Sequence, residues 1–233
     1  MKFRDNQNIV MLEKVADLLE PLIEDIVFIG GCATGLMITD PAAPSIRVTL
    51  DVDVLTEVSS IRNYHLVSEQ LRSLGFSEDL RPGAPICRWT VEDIVLDIMP
   101  TNPEILGFGN QWFMPAFAAS EWIKLPSGKK IRILPAPYFL ATKLEAFDGR
   151  GESDFLLSKD MEDIIAVIDG RAEITVEIQF AEKSLNIYLK NRLSILLNSS
   201  DFREALPGHL PPDMASQDRL GIILERIGQI VEA

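Results

Sequence analysis

The sequence is poor in cysteine, in histidine and in positive charge. It has two cysteines and two histidines among 233 residues, and 22 Lys and Arg against 35 Asp and Glu. Two cysteines are too few for a disulfide framework, and neither they nor the histidines recur at metal-ligand spacing, so we expect a reducing cytoplasmic setting. The formal net charge of −13 argues against a general nucleic-acid coat protein, because such proteins carry a broad basic surface.

Long apolar runs are also missing. No uninterrupted apolar stretch reaches the ~18 residues of a membrane span. Residues 1–5 are polar and lack the apolar core of a signal peptide. We therefore expect a protein with no membrane partner. The rest of the composition, 47% hydrophobic and 24% charged, is ordinary for a globular chain long enough for one large domain or for a core domain plus a smaller one.

The hydrophobic pattern predicts an α+β protein in two parts. Apolar residues at helical spacing predict helices, and short apolar or alternating runs predict strands. In the first part we expect helices at 8–20, 32–37 and 59–73 and strands at 26–29, 47–55, 86–90, 93–99, 121–125 and 130–134. In the second part we expect helices at about 137–148, 158–169, 174–198 and 214–232. The predicted organisation is a mixed-sheet core over 1–134 with a helical domain, 135–233, packed on it.

A glycine pair, Gly30-Gly31, follows the first predicted strand and precedes a helical pattern. Because glycine has no side chain, backbone N–H groups at a helix N-terminus can approach a phosphate closely there. A Gly-Gly pair is also a routine way to enter a helix without any ligand. The position of this pair directly after a buried strand favours a phosphate-binding turn.

Two aspartates lie two residues apart on the strand predicted at 47–55. Side chains alternate along a strand, so Asp51 and Asp53 point to the same face while Leu50, Val52 and Val54 point into the core. Two neighbouring carboxylates repel each other unless a cation lies between them. The pattern therefore predicts a cation site, with a solvated edge strand as the alternative.

A third carboxylate lies in the apolar strand predicted at 93–99. Asp97 is costly to bury there unless its charge is balanced. If this strand neighbours the strand of Asp51 and Asp53, three carboxylates converge on one face of the sheet. Magnesium prefers a few carboxylates together with phosphate oxygens. In that arrangement Asp51 and Asp53 hold metal and triphosphate, and Asp97 holds a second metal or accepts a proton from the acceptor hydroxyl.

These motifs resemble a known superfamily. Three of them are similar to motifs of the DNA polymerase β-like nucleotidyltransferases: Phe28-Ile29-Gly30-Gly31-Cys32-Ala33, Arg47-x-Thr49-x-Asp51-x-Asp53 and Leu96-Asp97-Ile98. Two further motifs resemble the AbiEii-like group, which includes toxins of type IV toxin–antitoxin and abortive-infection systems: Lys143-Leu144-x-Ala146-x-x-x-Arg150 and Lys159-Asp160-x-x-Asp163-Ile164. The resemblance covers about residues 24–170.

The resemblance implies a fold, an activity and a set of site residues. The fold is a polymerase β-like mixed sheet flanked by helices, followed by a C-terminal helical region. The activity is Mg²⁺- or Mn²⁺-dependent transfer of a nucleoside monophosphate from a nucleoside triphosphate to an RNA (tRNA) or protein hydroxyl, with an antitoxin protein as partner. The implied metal ligands are Asp51, Asp53 and Asp97; the implied catalytic residues are these three with Lys143 and Asp160; and the implied substrate-binding residues are Gly30, Gly31, Arg47, Thr49, Arg150 and Asp163.

The sequence departs from the superfamily pattern and leaves alternatives open. The usual Gly-Ser turn is Gly31-Cys32 here, and the connection to Asp51 is longer than usual, which predicts an enlarged loop at 39–46. The charged residues near Lys143 and Asp160 also fit a set of helix-surface ion pairs, each worth about 0–1 kcal/mol. Two other functions stay open: transfer to a small molecule of the aminoglycoside type, and nucleotide or partner binding without catalysis.

Overall fold

The structure is a computed structural model that describes residues 6–149 and 154–233. Helices and strands mix within it, so the predicted α+β class is confirmed. The chain divides into two compact units. The first unit consists of the described residues up to Gly35 and of Val48–Pro135, and the second consists of Leu36–Arg47 and the described residues from Ala136 onward. Residues 36–47 thus pack with the helical unit, which a single boundary at 134 does not describe.

The first unit contains a sheet and short helices. Its helices are α1 (Gln7–Leu18), α2 (Gly30–Met37, whose last two residues belong to the second unit), α3 (Ile61–Ser73) and α4 (Phe113–Ala118), with a 3₁₀ turn at Glu20–Leu22. Its strands are β1 (Ile26–Ile29), β2 (Asp51–Thr56), β3 (Ser77–Glu78), β4 (Arg88–Val91), β5 (Ile94–Pro100), β6 (Glu121–Lys124) and β7 (Lys130–Ile133). Strand β3 and helix α4 are additions to the prediction.

Within the described chain, seven strands form one mixed sheet in the order β3-β4-β5-β2-β1-β7-β6. Strand β2 pairs antiparallel with β1 on one side and parallel with β5 on the other. Both neighbours of β2 satisfy its backbone groups, so it is an interior strand. The alternative that Asp51 and Asp53 lie on an edge strand is therefore wrong.

The strand predicted at 47–55 begins at Asp51. Just before it, the Thr49 N–H donates to the side-chain oxygen of buried Asn8 at 2.9 Å, outside the strand ladder. The alternation of Val52 and Val54 into the core is confirmed, since both are fully buried. The same expectation for Leu50 is wrong: its side chain is 83% exposed, because the chain is not yet paired as a strand at that residue.

The second unit is helical. Its elements are α5 (Ala136–Gly149), α6 (Lys159–Gly170), α7 (Ile174–Gln179), α8 (Lys183–Asn198), α9 (Ser200–Ala205), a 3₁₀ turn at Leu206–His209, α10 (Met214–Gln217) and α11 (Leu220–Glu232). The single helices predicted at 174–198 and 214–232 are each divided in two. Glu182 has a non-helical backbone, with φ −50° and ψ 140°, and its carboxylate accepts the Ser184 N–H, so a new helix starts there.

A buried ion pair connects residues 36–47 to the other helices of the second unit. The Arg219 guanidinium donates to both carboxylate oxygens of Asp169 at 2.8 Å and to Asp40 at 2.6 Å. Arg219 and Asp169 are both buried. Through this ion pair and through the Thr39 and Asp40 N–H groups, which donate to the Gly170 carbonyl, the loop at 39–46 packs against helices that are distant in sequence. Among the described residues, none of the helices combines the length and the apolar character needed to cross a membrane.

Candidate active site

The structure brings three predicted metal ligands together on one face of the sheet. Asp53 and Asp97 are directly opposite each other on the parallel strands β2 and β5, and Asp51 lies two residues before Asp53. Side chains two apart on a strand share a face, so all three carboxylates emerge on the same side. Asp97 is buried, whereas the Asp51 side chain is 40% exposed. The two strands are neighbours, as the predicted site required.

An arginine that the sequence analysis did not single out contacts two of these acids. Arg88 lies on β4, directly opposite Asp97. Its Nε and Nη2 donate to the two carboxylate oxygens of Asp97 at 2.8 and 2.7 Å, and Nη2 also lies 3.3 Å from Asp51 Oδ2. The hydrogen bond to Asp97 raises the pKa of the guanidinium above its ordinary value. Arg88 therefore partly balances the charge of the three aspartates.

The register of the β4–β5 hairpin decides which residue lies opposite Arg88. The strands predicted at 86–90 and 93–99, with a tight turn between them, form a hairpin. In a hairpin, the numbers of two residues that lie opposite each other add up to the same value at every position. In the structure Val91 is opposite Ile94, and Arg88 is consequently opposite Asp97. The left-handed backbone of Glu92, with φ of 51°, makes the turn. With the predicted strand bounds, residues 90 and 93 would be opposite and Arg88 would lie opposite Val95; the observed turn, one residue further along, places Arg88 opposite Asp97 instead.

Gly30 is glycine for a reason that the sequence analysis did not give. Its φ is +72°, in the left-handed region that favours glycine, and a Cβ placed on it would overlap the Asp53 carboxylate, with Cγ only 2.7 Å away. The residue before it, Ile29, is opposite Asp53 across β1 and β2. The missing side chain at position 30 therefore leaves room for Asp53 itself. The phosphate-binding role of Gly30 and Gly31 stays a prediction.

We expect Gly30→Ala to destabilise the protein more than Gly75→Ala does. Both glycines have positive φ, which costs alanine about 1–2 kcal/mol, but a Cβ at Gly75 meets nothing within 4 Å. The overlap with Asp53 should add about 1–3 kcal/mol at position 30. Urea unfolding of both variants measures the difference. Equal losses of unfolding free energy in the two variants would show that the missing side chain at position 30 is not needed to make room for Asp53.

The donor set fits a hard divalent cation. Three carboxylates on adjacent positions of one sheet face supply the oxygen ligands that Mg²⁺ prefers. Within residues 6–149 and 154–233, however, no three acidic, histidine or cysteine side chains are already gathered in a metal-binding arrangement. Both carboxylate oxygens of Asp97 accept hydrogen bonds from Arg88 in this structure.

Thr49 and Cys32 make structural contacts in the first unit. The buried Thr49 hydroxyl donates to the Asp51 carbonyl at 3.2 Å, so it fixes the chain where β2 begins. The fully buried Cys32 thiol donates to the Asn8 carbonyl at 3.4 Å. A role of Thr49 in substrate binding stays a prediction.

The second unit brings four other predicted site residues together. The buried Lys143 ammonium on α5 lies 3.1 Å from Asp160 and 2.7 Å from Asp163, both buried on α6. Arg47 lies 2.8 Å from Asp163. Burial alone lowers the pKa of Arg47, but the charge and hydrogen bond of Asp163 outweigh it, so this pKa lies above its ordinary value.

This cluster is an interior ion-pair network, not a set of exposed helix pairs. Two cations, Lys143 and Arg47, face two buried anions within it. Lys159, the first residue of α6, is exposed. Arg150, the remaining predicted substrate-binding residue, lies outside the described residues. The catalytic and substrate-binding roles of these residues stay predictions.

Comparisons with known proteins identify the fold. No family model matches the chain, and no curated protein matches it. A solved structure of an antigenic nucleotidyltransferase-like protein from Paracoccidioides brasiliensis is similar with a TM-score of 0.50 and 22% identity, over 87% of this chain and 93% of that one. The chain therefore has a nucleotidyltransferase-like fold, as the sequence resemblance implied.

A second solved structure is more distant. It is a STING-associated CdnE c-di-GMP synthase from Capnocytophaga granulosa, with a TM-score of 0.31 and 11% identity over 97% of this chain and 81% of that one. At this distance the likeness supports no inference.

Proposed function

We propose that this protein is a magnesium-dependent nucleotidyltransferase. It moves a nucleoside monophosphate from a nucleoside triphosphate to the hydroxyl of an RNA, such as tRNA, or of a protein, and releases pyrophosphate. The observation that supports this most strongly is the direct pairing of Asp53 with Asp97 across β2 and β5, with Asp51 on the same face, in a nucleotidyltransferase-like fold.

Each part of the first unit has a distinct task in this proposal. The three aspartates bind the cation, and Gly30 leaves space for Asp53. The pairing of β2 with β5 on one side and with β1 on the other holds the carboxylates at fixed spacing. When bound, Mg²⁺ supplies the positive charge that stabilises negative charge developing on the phosphate oxygens.

The AbiEii-like motifs add a biological setting to the proposal. Their resemblance to toxins supports a role as the toxin of a toxin–antitoxin pair, with an antitoxin protein as partner. Co-purification with the product of a neighbouring gene would test this partner directly. The chemistry proposed above does not depend on it.

One specific observation favours a second function, nucleotide binding without catalysis. Both carboxylate oxygens of Asp97 accept hydrogen bonds from Arg88. If this ion pair persisted during nucleotide binding, the carboxylate of Asp97 would be neutralised by Arg88 and could not bind a metal ion. The fold would then bind a nucleotide or a partner without transfer.

A labelling assay distinguishes these functions. The protein is incubated with each nucleoside triphosphate labelled at the α-phosphate, with Mg²⁺, and with total tRNA, cell proteins or aminoglycosides as acceptors. We expect label in tRNA or protein and none when EDTA replaces Mg²⁺. Label in an aminoglycoside would replace the proposal with small-molecule transfer. Nucleotide binding without label in any acceptor would favour the second function.

A further inference from the structure

Arg88 is a resident cation at the acidic face of the sheet. It is held by two hydrogen bonds to Asp97, at 2.8 and 2.7 Å, and by a contact of 3.3 Å to Asp51. A guanidinium fits a carboxylate in this paired manner and cannot lose its charge in proteins. Its side chain is 25% exposed and that of Asp97 is 10% exposed, so water screens the pair only in part.

The net negative charge at this face attracts a cation, whereas the guanidinium of Arg88 repels it. Three formal negative charges lie on this face, one each on Asp51, Asp53 and Asp97. Arg88 contributes one positive charge. A divalent cation bound by Asp97 or Asp51 would lie a few ångströms from the guanidinium and be repelled by it. It would also compete with Arg88 for the lone pairs of the Asp97 oxygens.

We propose that Arg88 competes with the divalent cation for Asp97 and Asp51 and so weakens metal binding by the free protein. Metal binding then requires the guanidinium to leave Asp97. Arg88 thus lowers the affinity of the site for a metal ion in the absence of nucleotide. This inference rests on the proposed metal-dependent function and adds a regulatory residue to it.

Mn²⁺ titration without nucleotide tests this competition. Binding to the full-length protein is measured by calorimetry and by the loss of the free Mn²⁺ electron paramagnetic resonance signal. We expect Arg88→Gln to bind Mn²⁺ at least about tenfold more tightly than the wild type, since a neighbouring positive charge is removed. Arg88→Lys keeps the charge and should stay within about threefold of the wild type, as that charge sets the competition.

The matched control is Arg81→Gln. Arg81 is an exposed arginine that pairs with Asp79 at 2.6 Å on the chain leading to β4. The same change of charge at this position should leave Mn²⁺ affinity unchanged. Tighter binding in Arg88→Gln but not in Arg81→Gln supports competition at the carboxylates and not a general effect of net charge.

The remaining outcomes separate this inference from the proposed function. If wild type and Arg88→Gln bind Mn²⁺ equally, or the variant binds more weakly, Arg88 is not a competitor while the metal site stands. If neither binds Mn²⁺, the metal site and the inference both fail.

A second measurement does not require a variant that folds. In the wild type, the Nε–H resonance of Arg88 can be followed by nitrogen-15 NMR during a titration with Mg²⁺. We expect this resonance to move to the position of a solvated arginine as binding saturates. A resonance that is unchanged at a saturating Mg²⁺ concentration would overturn the competition.

Discussion

Changing Asp51 to asparagine is expected to reduce nucleotidyl transfer by about a thousandfold or more and to leave the protein folded. A metal ligand stabilises the transition state by several kcal/mol, and each ~1.4 kcal/mol is a factor of ten in rate. The asparagine side chain has nearly the same shape as aspartate but no charge. The Asp51 side chain is 40% exposed and its contact to Arg88 is 3.3 Å long, so stability should change by less than about 1 kcal/mol.

The matched control for this prediction is Asp93→Asn. Asp93 is an exposed aspartate in the turn between β4 and β5, close in sequence to the site but outside the group of three acids. Transfer is measured with the labelled triphosphate, and folding is checked by circular dichroism and thermal unfolding. Full activity in Asp51→Asn, or an equal loss in Asp93→Asn, would show that the metal ligands have been assigned to the wrong residues.

Changing Lys143 to methionine is expected to lower the free energy of unfolding by about 3–5 kcal/mol. The ammonium lies 3.1 Å from Asp160 and 2.7 Å from Asp163, and all three residues are buried. Methionine fills similar space but carries no charge, so the two carboxylates would remain buried with less compensation. Urea unfolding followed by circular dichroism measures the loss.

Two further variants test the reason for that loss. Lys159→Met makes the same chemical change at an exposed residue, the first of α6, and should alter stability by no more than about 0.5 kcal/mol. Asp160→Asn, combined with Lys143→Met, removes one buried charge and should recover part of the stability. If Lys143→Met costs no more than Lys159→Met, the buried network does not stabilise the fold.

The acidic face of the sheet was largely predictable from sequence. Alternation along a strand places Asp51 and Asp53 on one face, and burial of the apolar residues between them fixes which face that is. An aspartate inside an apolar strand, Asp97, signals a charge that must be balanced. Strand period and burial cost are local properties, so a single sequence carries them.

Other features depend on contacts between distant residues, which local patterns do not contain. Packing of residues 36–47 with the helical unit involves contacts to residues far along the chain, such as Gly170 and Arg219. The divided helices near Glu182 follow from a cap that overrides a continuous apolar pattern. The space that Gly30 leaves for Asp53 requires the register of β1 with β2.

Arg88 shows how one residue changes the interpretation of a motif. The acids alone indicate a strong cation site, whereas the acids with Arg88 indicate a site whose metal affinity is moderated by the protein's own cation. The metal-binding experiments on Arg88 and the activity experiments on Asp51 therefore measure different properties. Tighter Mn²⁺ binding in Arg88→Gln would support the competition by Arg88, and inactivity of Asp51→Asn would support the assignment of Asp51 as a metal ligand.

The central claim is that Asp51, Asp53 and Asp97 together bind the divalent cation used in transfer. The most direct test is a crystal of the wild-type protein soaked with Mn²⁺ and a non-hydrolysable nucleoside triphosphate analogue, with data collected near the manganese absorption edge. We expect an anomalous peak within coordination distance of all three carboxylates and of the triphosphate oxygens. Nucleotide and Mn²⁺ bound elsewhere, or the three acids pointing apart at saturating ligand, would contradict the claim.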